Sequence, residues 1–241
     1  MTTYSTQHKI TGFTLVELAI ALMVIGLLIG GVLKGQELIE NTRITRTVKD
    51  ISDIETAVMI FRNTYNGLPG DLRNAGNKLP NCNEAPCNST SGMGVSKINS
   101  NAKRILFWIH LQRAGLITNI NETGNHNTAS FENPFGGYYI ASYLAAGDPN
   151  ITNDSEKNVL RLGDPILHAQ NARIGPVRLS ALDVKMDDGK PLTGKVTIQD
   201  AAGGSFSNPT PVKCYDDATR EYLIASPQLV CSMRIMMDSM N

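Results

Sequence analysis

A long apolar segment near the N-terminus dominates the hydrophobic pattern of the chain. Leu18 to Leu33 is sixteen residues without a charged side chain, and Phe13 to Leu33 is twenty-one residues in which Glu17 is the only charge. A helix of about 20 residues is roughly 30 Å long, which matches the hydrocarbon core of a bilayer. The pattern therefore predicts a transmembrane helix over residues 13–33.

A cleavable secretory signal peptide is the alternative for this segment. Such a peptide has a basic start, an apolar run of about 7–15 residues and a small-residue cleavage site. The run here is longer, and the polar stretch from Lys34 to Glu37 follows it in place of an Ala-x-Ala site. Cleavage after the apolar segment is therefore disfavoured, and the helix is expected to continue.

Beyond the membrane segment the apolar positions keep a helical period. They recur every three or four residues among charged side chains, at Ile44, Val48, Ile51, Ile54, Val58, Phe61 and Tyr65. This pattern predicts an amphipathic helix over 34–66, which ends because Asn66-Gly67 begins a turn. A coiled coil is the alternative, but the repeat lasts only about three heptads. We favour a helix packed against a sheet.

The rest of the chain has short elements separated by turn residues. Residues 67–100 have no period and are predicted to form a long connecting loop. A second amphipathic helix is predicted over 103–114, with Gly115 as its stop signal. Strand-like runs follow at 138–144, 195–199, 221–225 and 229–235. The predicted fold class is α+β, with a long N-terminal helix on a small antiparallel sheet.

Composition limits the classes of function. The 241 residues include 22 Lys and Arg and 22 Asp and Glu, so the formal net charge is zero. This balance gives no basic footprint for phosphates, and nucleic acid is not an expected partner. The chain also lacks Gly-x-Ser-x-Gly, His-Glu-x-x-His and a phosphate-binding glycine loop. We therefore predict neither enzyme activity nor a cofactor.

A short motif lies where the polar N-terminus meets the apolar helix. Residues 1–12 have Lys9 as their only charged side chain and end in Gly12, and Phe13-Thr14-Leu15-Val16-Glu17 follows. This arrangement resembles the signature of type IV prepilins, a short polar leader ending in Gly and then Phe-Thr-Leu-x-Glu. The resemblance is close over residues 1–65 and extends to the remainder only in general organisation.

The resemblance implies a processing and assembly route. A prepilin peptidase would cut between Gly12 and Phe13, Phe13 would be N-methylated, and the subunit would join other pilin or pseudopilin subunits through its helix. The implied organisation is a leader at 1–12, a transmembrane half-helix at 13–33, an amphipathic half-helix at 34–66 and a periplasmic globular α+β domain at 67–241. The precursor would be a single-pass protein in inner-membrane lipid, and it would become extracellular in a filament.

Glu17 places a carboxylate inside an apolar span. Such a charge costs about 2–3 kcal/mol on insertion scales, and less near a helix end. Cleavage after Gly12 would create an α-amine on Phe13, one helical turn away, with which the carboxylate of a neighbouring subunit could pair. A side chain that merely reaches the headgroups is the alternative. We assign Glu17 to filament assembly.

Glycines in the apolar helix have two interpretations. Gly26 and Gly30, and likewise Gly31 and Gly35, have the spacing that lets helix backbones approach closely in lipid. Glycine also weakens a helix by about 1 kcal/mol relative to alanine, so these positions could be a soft point where the helix extends on assembly. Many major pilins have a proline within this helix, whereas the first proline here is Pro69. The resemblance thus favours a minor pilin or a pseudopilin.

Four cysteines form two pairs that are close in sequence. If the region beyond Leu33 lies outside the cytoplasm, the even count predicts the disulfides Cys82–Cys87 and Cys214–Cys231. The second also resembles the disulfide near the C-terminus of type IV pilins. Zinc is the alternative, but the spacing is not Cys-x-x-Cys and the histidines are scattered.

Acidic residues provide one further candidate site. Asp183, Asp187 and Asp188 precede Gly189 and could supply oxygen ligands to calcium, an ion that some pseudopilins bind. The stretch lacks the alternating spacing of a dedicated calcium loop. An exposed Asp-Asp-Gly turn is the simpler interpretation, and no metal is predicted.

These observations predict a structural subunit of a type IV pilus-like filament. The alternative is a single-pass, membrane-anchored periplasmic binding or adhesion domain that does not polymerise. The basic residues Lys34, Arg43, Arg46 and Lys49 follow the span, whereas Lys9 precedes it. The positive-inside rule therefore does not supply the orientation, which follows instead from the resemblance.

Overall fold

The computed structural model describes residues 14–89, 94–118, 120, 131–144, 156–162, 174–199, 214–226 and 231–241. The chain divides into two compact units, Met1–Thr42 and Arg43–Asn241. The predicted leader and cleavage site, including Gly12 and Phe13, lie outside the described residues.

One long helix, α1, runs through Leu15–Tyr65. In the first unit its large apolar side chains between Leu15 and Leu33 are exposed. In the second unit one face of α1 is buried, with Ile44, Thr47, Ile51, Ile54, Ala57, Val58 and Phe61 as its inward residues. The helix ends where Asn66 adopts a left-handed φ of 50°, a conformation that asparagine tolerates better than most residues. The helix end predicted at Asn66 is therefore correct to within one residue.

The second unit contains a five-stranded antiparallel sheet. Its strands are β1 (Phe131–Glu132), β2 (Tyr138–Leu144), β3 (Lys157–Leu162), β4 (Val196–Gln199) and β5 (Ser232–Met236). Their spatial order is β1-β2-β3-β5-β4, so β5 lies between β3 and β4. The long helix with this sheet confirms the predicted α+β class.

One face of the sheet is apolar and contacts the part of α1 that belongs to the second unit. A row of buried residues crosses this face at Ala141, Leu160, Ile235 and Val196. Tyr139 of β2 donates a hydrogen bond from its Oη to Asp50 of α1 at 3.3 Å. Lys195, which precedes β4, forms an ion pair with Glu55 of α1 at 3.0 Å. Apolar burial and these two polar contacts hold the helix on the sheet.

Shorter helices complete the second unit. They are α2 (Ala75–Lys78), α3 (Asn101–Arg113), α4 (Pro176–Met186) and a 3₁₀-helix at Asp238–Met240. The helix predicted over 103–114 is α3, which begins earlier because the Ser100 hydroxyl caps it by accepting the Lys103 N–H at 3.3 Å. Neither α4 nor α2 was predicted, and α2 interrupts the region that was predicted to be a continuous loop.

The predicted strands differ in outcome. The run at 138–144 is β2, with both ends as predicted, and 195–199 corresponds to β4. The run at 229–235 corresponds to β5, although its first two residues lie outside the described part of the chain. The strand predicted at 221–225 is wrong, because Tyr222 makes an isolated bridge to Tyr215 and residues 224–225 form a turn.

A buried histidine joins three parts of the second unit. His110 of α3 accepts the Gly70 N–H at Nδ1 (3.0 Å), and its Nε2 lies 3.2 Å from the carbonyl oxygen of Cys87. The imidazole also stacks on Phe61 of α1, with centroids 6.3 Å apart and planes 7° apart. Nδ1 accepts a hydrogen bond, so the ring is neutral with its proton on Nε2. Burial lowers the pKa of His110 to about 4, which maintains this form at neutral pH.

Candidate assembly and processing site

Thr14 and Glu17 form a reciprocal capping box at the start of α1. The Thr14 N–H and the Thr14 hydroxyl both donate to Oε2 of Glu17, at 2.9 and 2.8 Å. In return the Glu17 N–H donates to Oγ1 of Thr14 at 3.3 Å. Two backbone N–H groups that the first turn of a helix would leave without partners are thereby satisfied.

The capping box fixes the direction of the Glu17 carboxylate. Both bonds from Thr14 end on Oε2, and among the described residues Oε1 accepts no hydrogen bond. The carboxylate therefore points back along the helix, toward the end where Phe13 precedes Thr14 in the chain. This position leaves acceptor capacity on Glu17 for a further donor near the helix start.

The four helix glycines lie on an open surface of the first unit. A Cβ atom added at Gly26, Gly30, Gly31 or Gly35 would meet no atom within 4 Å. The helix is nevertheless continuous through all four positions. These glycines provide flat, uncovered sites at which the backbone of another helix could approach closely.

The apolar part of α1 is long enough to cross a membrane. An 18-residue stretch of the helix is apolar enough to cross a membrane, and none of this stretch is buried within the protein. A helix that is apolar on all sides and uncovered requires lipid or other helices around it. Length, composition and exposure together indicate a membrane anchor.

Comparison with known proteins gives one match, and it falls on this segment. Residues 7–33 match the family model of the prokaryotic N-terminal methylation motif. No curated protein and no solved structure is significantly similar to the chain. The match covers Gly12, Phe13 and Glu17 and ends with the apolar run.

The chain therefore carries the N-terminal methylation motif, which indicates a type IV pilin-like prepilin. This motif implies processing by a prepilin peptidase. The α+β architecture of the second unit, with a helix packed on an antiparallel sheet, is pilin-like.

Both disulfides are present and link the cysteines in the expected pairs. Cys82 is bonded to Cys87 and Cys214 to Cys231, and all four side chains are buried. Cys82 and Cys87 lie close to His110. Their sulfurs are joined to each other, and both imidazole nitrogens have hydrogen-bond partners. The donor set of a zinc site is therefore occupied by other bonds in this structure.

The three aspartates considered for calcium lie together at the end of α4. Their carboxylate oxygens are within 4.8 Å of one another. Asp183 accepts from the Tyr222 hydroxyl, Asp187 from the N–H groups of Lys195 and Val196, and Asp188 from the Lys190 N–H and the Thr193 hydroxyl. These bonds shape the turn that leads from α4 into β4. Asp183 is buried, and its Oδ1 has no hydrogen-bond partner among the described residues.

The contact between Thr14 and Glu17 was not predicted from the sequence. The signal was nevertheless in the sequence, because Thr followed three positions later by Glu at the start of an apolar run is the spacing of a capping box. The prepilin signature predicts a role for the charge of Glu17, and in the structure the same side chain also caps the start of α1.

Proposed function

We propose that this chain is a structural, non-enzymatic subunit of a type IV pilus-like filament, either a minor pilin or a secretion pseudopilin. The observation that carries the proposal is the match of residues 7–33 to the methylation motif, immediately before and within an uncovered apolar helix. The motif provides the processing signal, and the helix provides the surface through which subunits associate.

Processing gives the site its final chemistry. A prepilin peptidase cuts between Gly12 and Phe13, and the new amino group on Phe13 is methylated. The Glu17 carboxylate is held near the helix start by Thr14, so it is placed to accept from a cationic amine there. In a filament, the amine of a neighbouring subunit satisfies the carboxylate and fixes the axial register between the two helices.

Assembly exchanges the surroundings of the apolar helix. In the precursor, inner-membrane lipid covers the side chains of residues 13–33. In the filament, other pilin or pseudopilin helices replace this lipid, and Gly26, Gly30, Gly31 and Gly35 allow the backbones to approach. Because lipid tails and neighbouring side chains are equally apolar, packing and the Glu17 contact favour the filament.

The proposed location of the globular domain, residues 67–241, is the periplasm. Two buried disulfides support this assignment, because disulfides persist in oxidising compartments and are rare in the cytosol. The precursor is then a single-pass inner-membrane protein with its cleaved end on the cytoplasmic side.

The experiment that tests the proposal is mass analysis of the N-terminus. Protein purified from native membranes should begin at N-methyl-Phe13, and Gly12→Leu should remain uncut and unmethylated. The matched control is Gly35→Leu. This substitution lies after the span, so the variant should be cleaved and methylated normally. An intact Met1 in wild-type protein, or a mature start beyond Leu33, contradicts the proposal.

Polymerisation is tested separately from processing. Sheared surface fractions should contain the mature chain together with other pilin-like subunits. A chain that is cleaved and methylated but remains entirely in the membrane fraction would instead be an anchored binding or adhesion domain.

A further inference from the structure

Strand β4 lies at one edge of the sheet in the second unit. Within the described part of the chain it pairs only with β5, so no strand lies on its other side. The edge of a sheet presents backbone N–H and C=O groups with which a strand of another molecule can pair. The opposite edge is β1, which has only two residues and offers little length for pairing. β4 is therefore the edge at which strand addition is expected.

The register of the sheet identifies the donor groups on the outer side of β4. The Met236 N–H donates to the Lys195 carbonyl at 2.8 Å, so these two residues form a hydrogen-bonded pair of the β4–β5 ladder. Such pairs alternate with non-hydrogen-bonded pairs in an antiparallel ladder, so the N–H groups of Val196 and Ile198 point away from β5. These are the two donors that an added strand would need.

The turn between α4 and β4, residues 187–194, already occupies both donors. We refer to this segment as the edge turn. Oδ2 of Asp187 accepts the Val196 N–H at 3.0 Å, and the carbonyl oxygen of Pro191 accepts the Ile198 N–H at 2.8 Å. Both outward N–H groups of β4 therefore have partners within the same chain. A second strand has to break these two bonds before it can pair with β4.

Gly194 allows the Asp187 carboxylate to reach the strand. Its φ of 77° is left-handed, a conformation that favours glycine. A Cβ atom at this position would overlap Oδ2 of Asp187, so a larger residue would displace the carboxylate from β4. The adjacent Asp188 instead accepts from the Lys190 N–H and the Thr193 hydroxyl, within the edge turn itself. Of these two neighbouring carboxylates, Asp187 is the one that contacts the strand.

We propose that the edge turn prevents the sheet of one molecule from pairing with the sheet of a second copy through β4. Two identical edges could otherwise pair as antiparallel strands about a twofold axis. With the edge turn in place, such pairing breaks hydrogen bonds on both molecules, and the new bonds only replace those that were lost. The proposal concerns the second unit alone and does not depend on the proposed filament.

The test compares Asp187→Ala with wild type as full-length protein in detergent micelles over a range of protein concentrations. Sedimentation measures the protein mass in each complex, and NMR measures amide hydrogen exchange at Val196. In dilute solution the Val196 amide of the variant should exchange about tenfold faster than in wild type, because it has lost its acceptor. At high concentration the variant should form complexes of larger mass than wild type. Exchange at Val196 should then become slow again, because the strand of a second copy accepts its N–H.

Three further variants assign the effect to the contact between the edge turn and β4. The matched control Asp188→Ala removes the same charge from the same turn but no acceptor of a β4 group, so it should behave as wild type. Asp187→Asn retains an acceptor oxygen and should also remain close to wild type. Gly194→Ala displaces the Asp187 carboxylate without removing it and should behave as Asp187→Ala. Trp108 fluorescence during thermal unfolding confirms that each variant is folded.

Three results overturn the proposal. The first is a wild-type complex mass for both Asp187→Ala and Gly194→Ala at the highest concentration. The second is a larger mass while the Val196 amide still exchanges fast, because the molecules then associate through another surface. The third is equal association of the Asp188→Ala control. None of these results affects the processing and filament experiments, so the two proposals are judged independently.

Discussion

Tyr222 donates a buried hydrogen bond from its Oη to Oδ2 of Asp183, at 2.6 Å. The bond joins the segment closed by the Cys214–Cys231 disulfide to α4. Burial raises the pKa of Asp183 to about 6, with the charge of Asp188 acting in the same direction and the bond from Tyr222 opposing it. Tyr222 therefore stabilises a carboxylate in surroundings that disfavour its charge.

Loss of the Tyr222 hydroxyl is expected to destabilise the second unit in a pH-dependent way. The pKa of Asp183 is about 6 in the folded protein and 3.8 in the unfolded chain. The contribution of the protonated Asp183 to folding stability is therefore complete below about pH 4 and is lost as pH rises through 6. Tyr222→Phe should reduce the free energy of unfolding by about 1–3 kcal/mol at pH 7.5, and by less at pH 4.5. Urea denaturation of the detergent-solubilised chain, followed by Trp108 fluorescence, measures both values. Asp183→Asn, which cannot ionise, is the control, and equal losses at the two pH values would count against this account.

Acid should weaken the junction at His110. Its folded pKa of about 4 is below the unfolded value of 6.5, so its contribution is present above pH 6.5 and is lost as pH falls toward 4. The difference corresponds to about 3 kcal/mol. His110→Phe should be less stable than wild type at pH 7, because the Gly70 N–H and the Cys87 carbonyl lose their partner. The stability gap between the two proteins should narrow on acidification, and a constant gap from pH 7 to pH 4 excludes the proposed titration.

Reduction should affect the two disulfides unequally. Cys214–Cys231 has a sequence separation of 17 and Cys82–Cys87 a separation of 5. In the chain-entropy model the longer loop contributes about 3 kcal/mol and the shorter about 2 kcal/mol. Paired serine variants of each bridge, compared by thermal unfolding, measure this order.

Differential alkylation of native protein should find four protected thiols, and free labelling of all four would place the domain in a reducing compartment.

Substitutions of Glu17 separate its charge from its capping role. Glu17→Val should be inserted and cleaved but should enter filaments poorly, because both the charge and the cap are lost. Glu17→Gln is the matched control, since glutamine also suits a capping box but has no charge. Glu17→Asp keeps the charge, has less reach and should be intermediate. The measurement is the ratio of sheared filament protein to membrane-bound protein. Wild-type incorporation of Glu17→Gln would show that the cap, and not the charge, supports assembly.

Thr14 should matter through its hydroxyl. Thr14→Val removes Oγ1 but retains the shape of the side chain, so Glu17 loses one donor and its own N–H loses an acceptor. The cost at a helix start is about 1 kcal/mol. Filament incorporation should decrease in Thr14→Val and remain close to wild type in Thr14→Ser, with normal cleavage in both. Equal filament incorporation of Thr14→Val and Thr14→Ser would show that the Thr14 hydroxyl has no role in assembly.

The sequence predicts those elements whose pattern is local. The long helix follows from a sustained apolar period, and its end follows from Asn66-Gly67, which supports a left-handed turn. Strand β2 is also predicted, because Gly136 and Gly137 precede its apolar run and Gly147 follows it after two alanines. Glu17 is also predicted from the sequence as a site residue. Its donor Thr14 is not, although the Thr-x-x-Glu spacing of a capping box indicates this contact.

The elements that were not predicted depend on distant contacts. Strand β3 was not predicted because Arg161, a charged residue, interrupts its apolar pattern. In the sheet Arg161 is nevertheless buried, and it lies opposite the buried Arg234 of β5. The strand predicted at 221–225 is wrong because Tyr222 does not pair in a β-ladder. It lies in the segment closed by the Cys214–Cys231 disulfide and donates a hydrogen bond to Asp183. The approach of Lys185 to Thr45 likewise depends on the packing of α4. Hydrophobic periodicity contains no information on such pairings.

The position of β5 within the sheet sets the order in which the domain can be completed during synthesis. Within the described sheet β4 pairs only with β5, and β3 reaches β4 only through β5. A nascent chain that has emerged as far as β4 therefore has no template on which to place that strand. Residues 232–236 must be translated first, and contacts of such long sequence separation form slowly. The sheet of the second unit is consequently completed only after synthesis has passed Met236, well after the residues of β3 and β4 have been added to the chain.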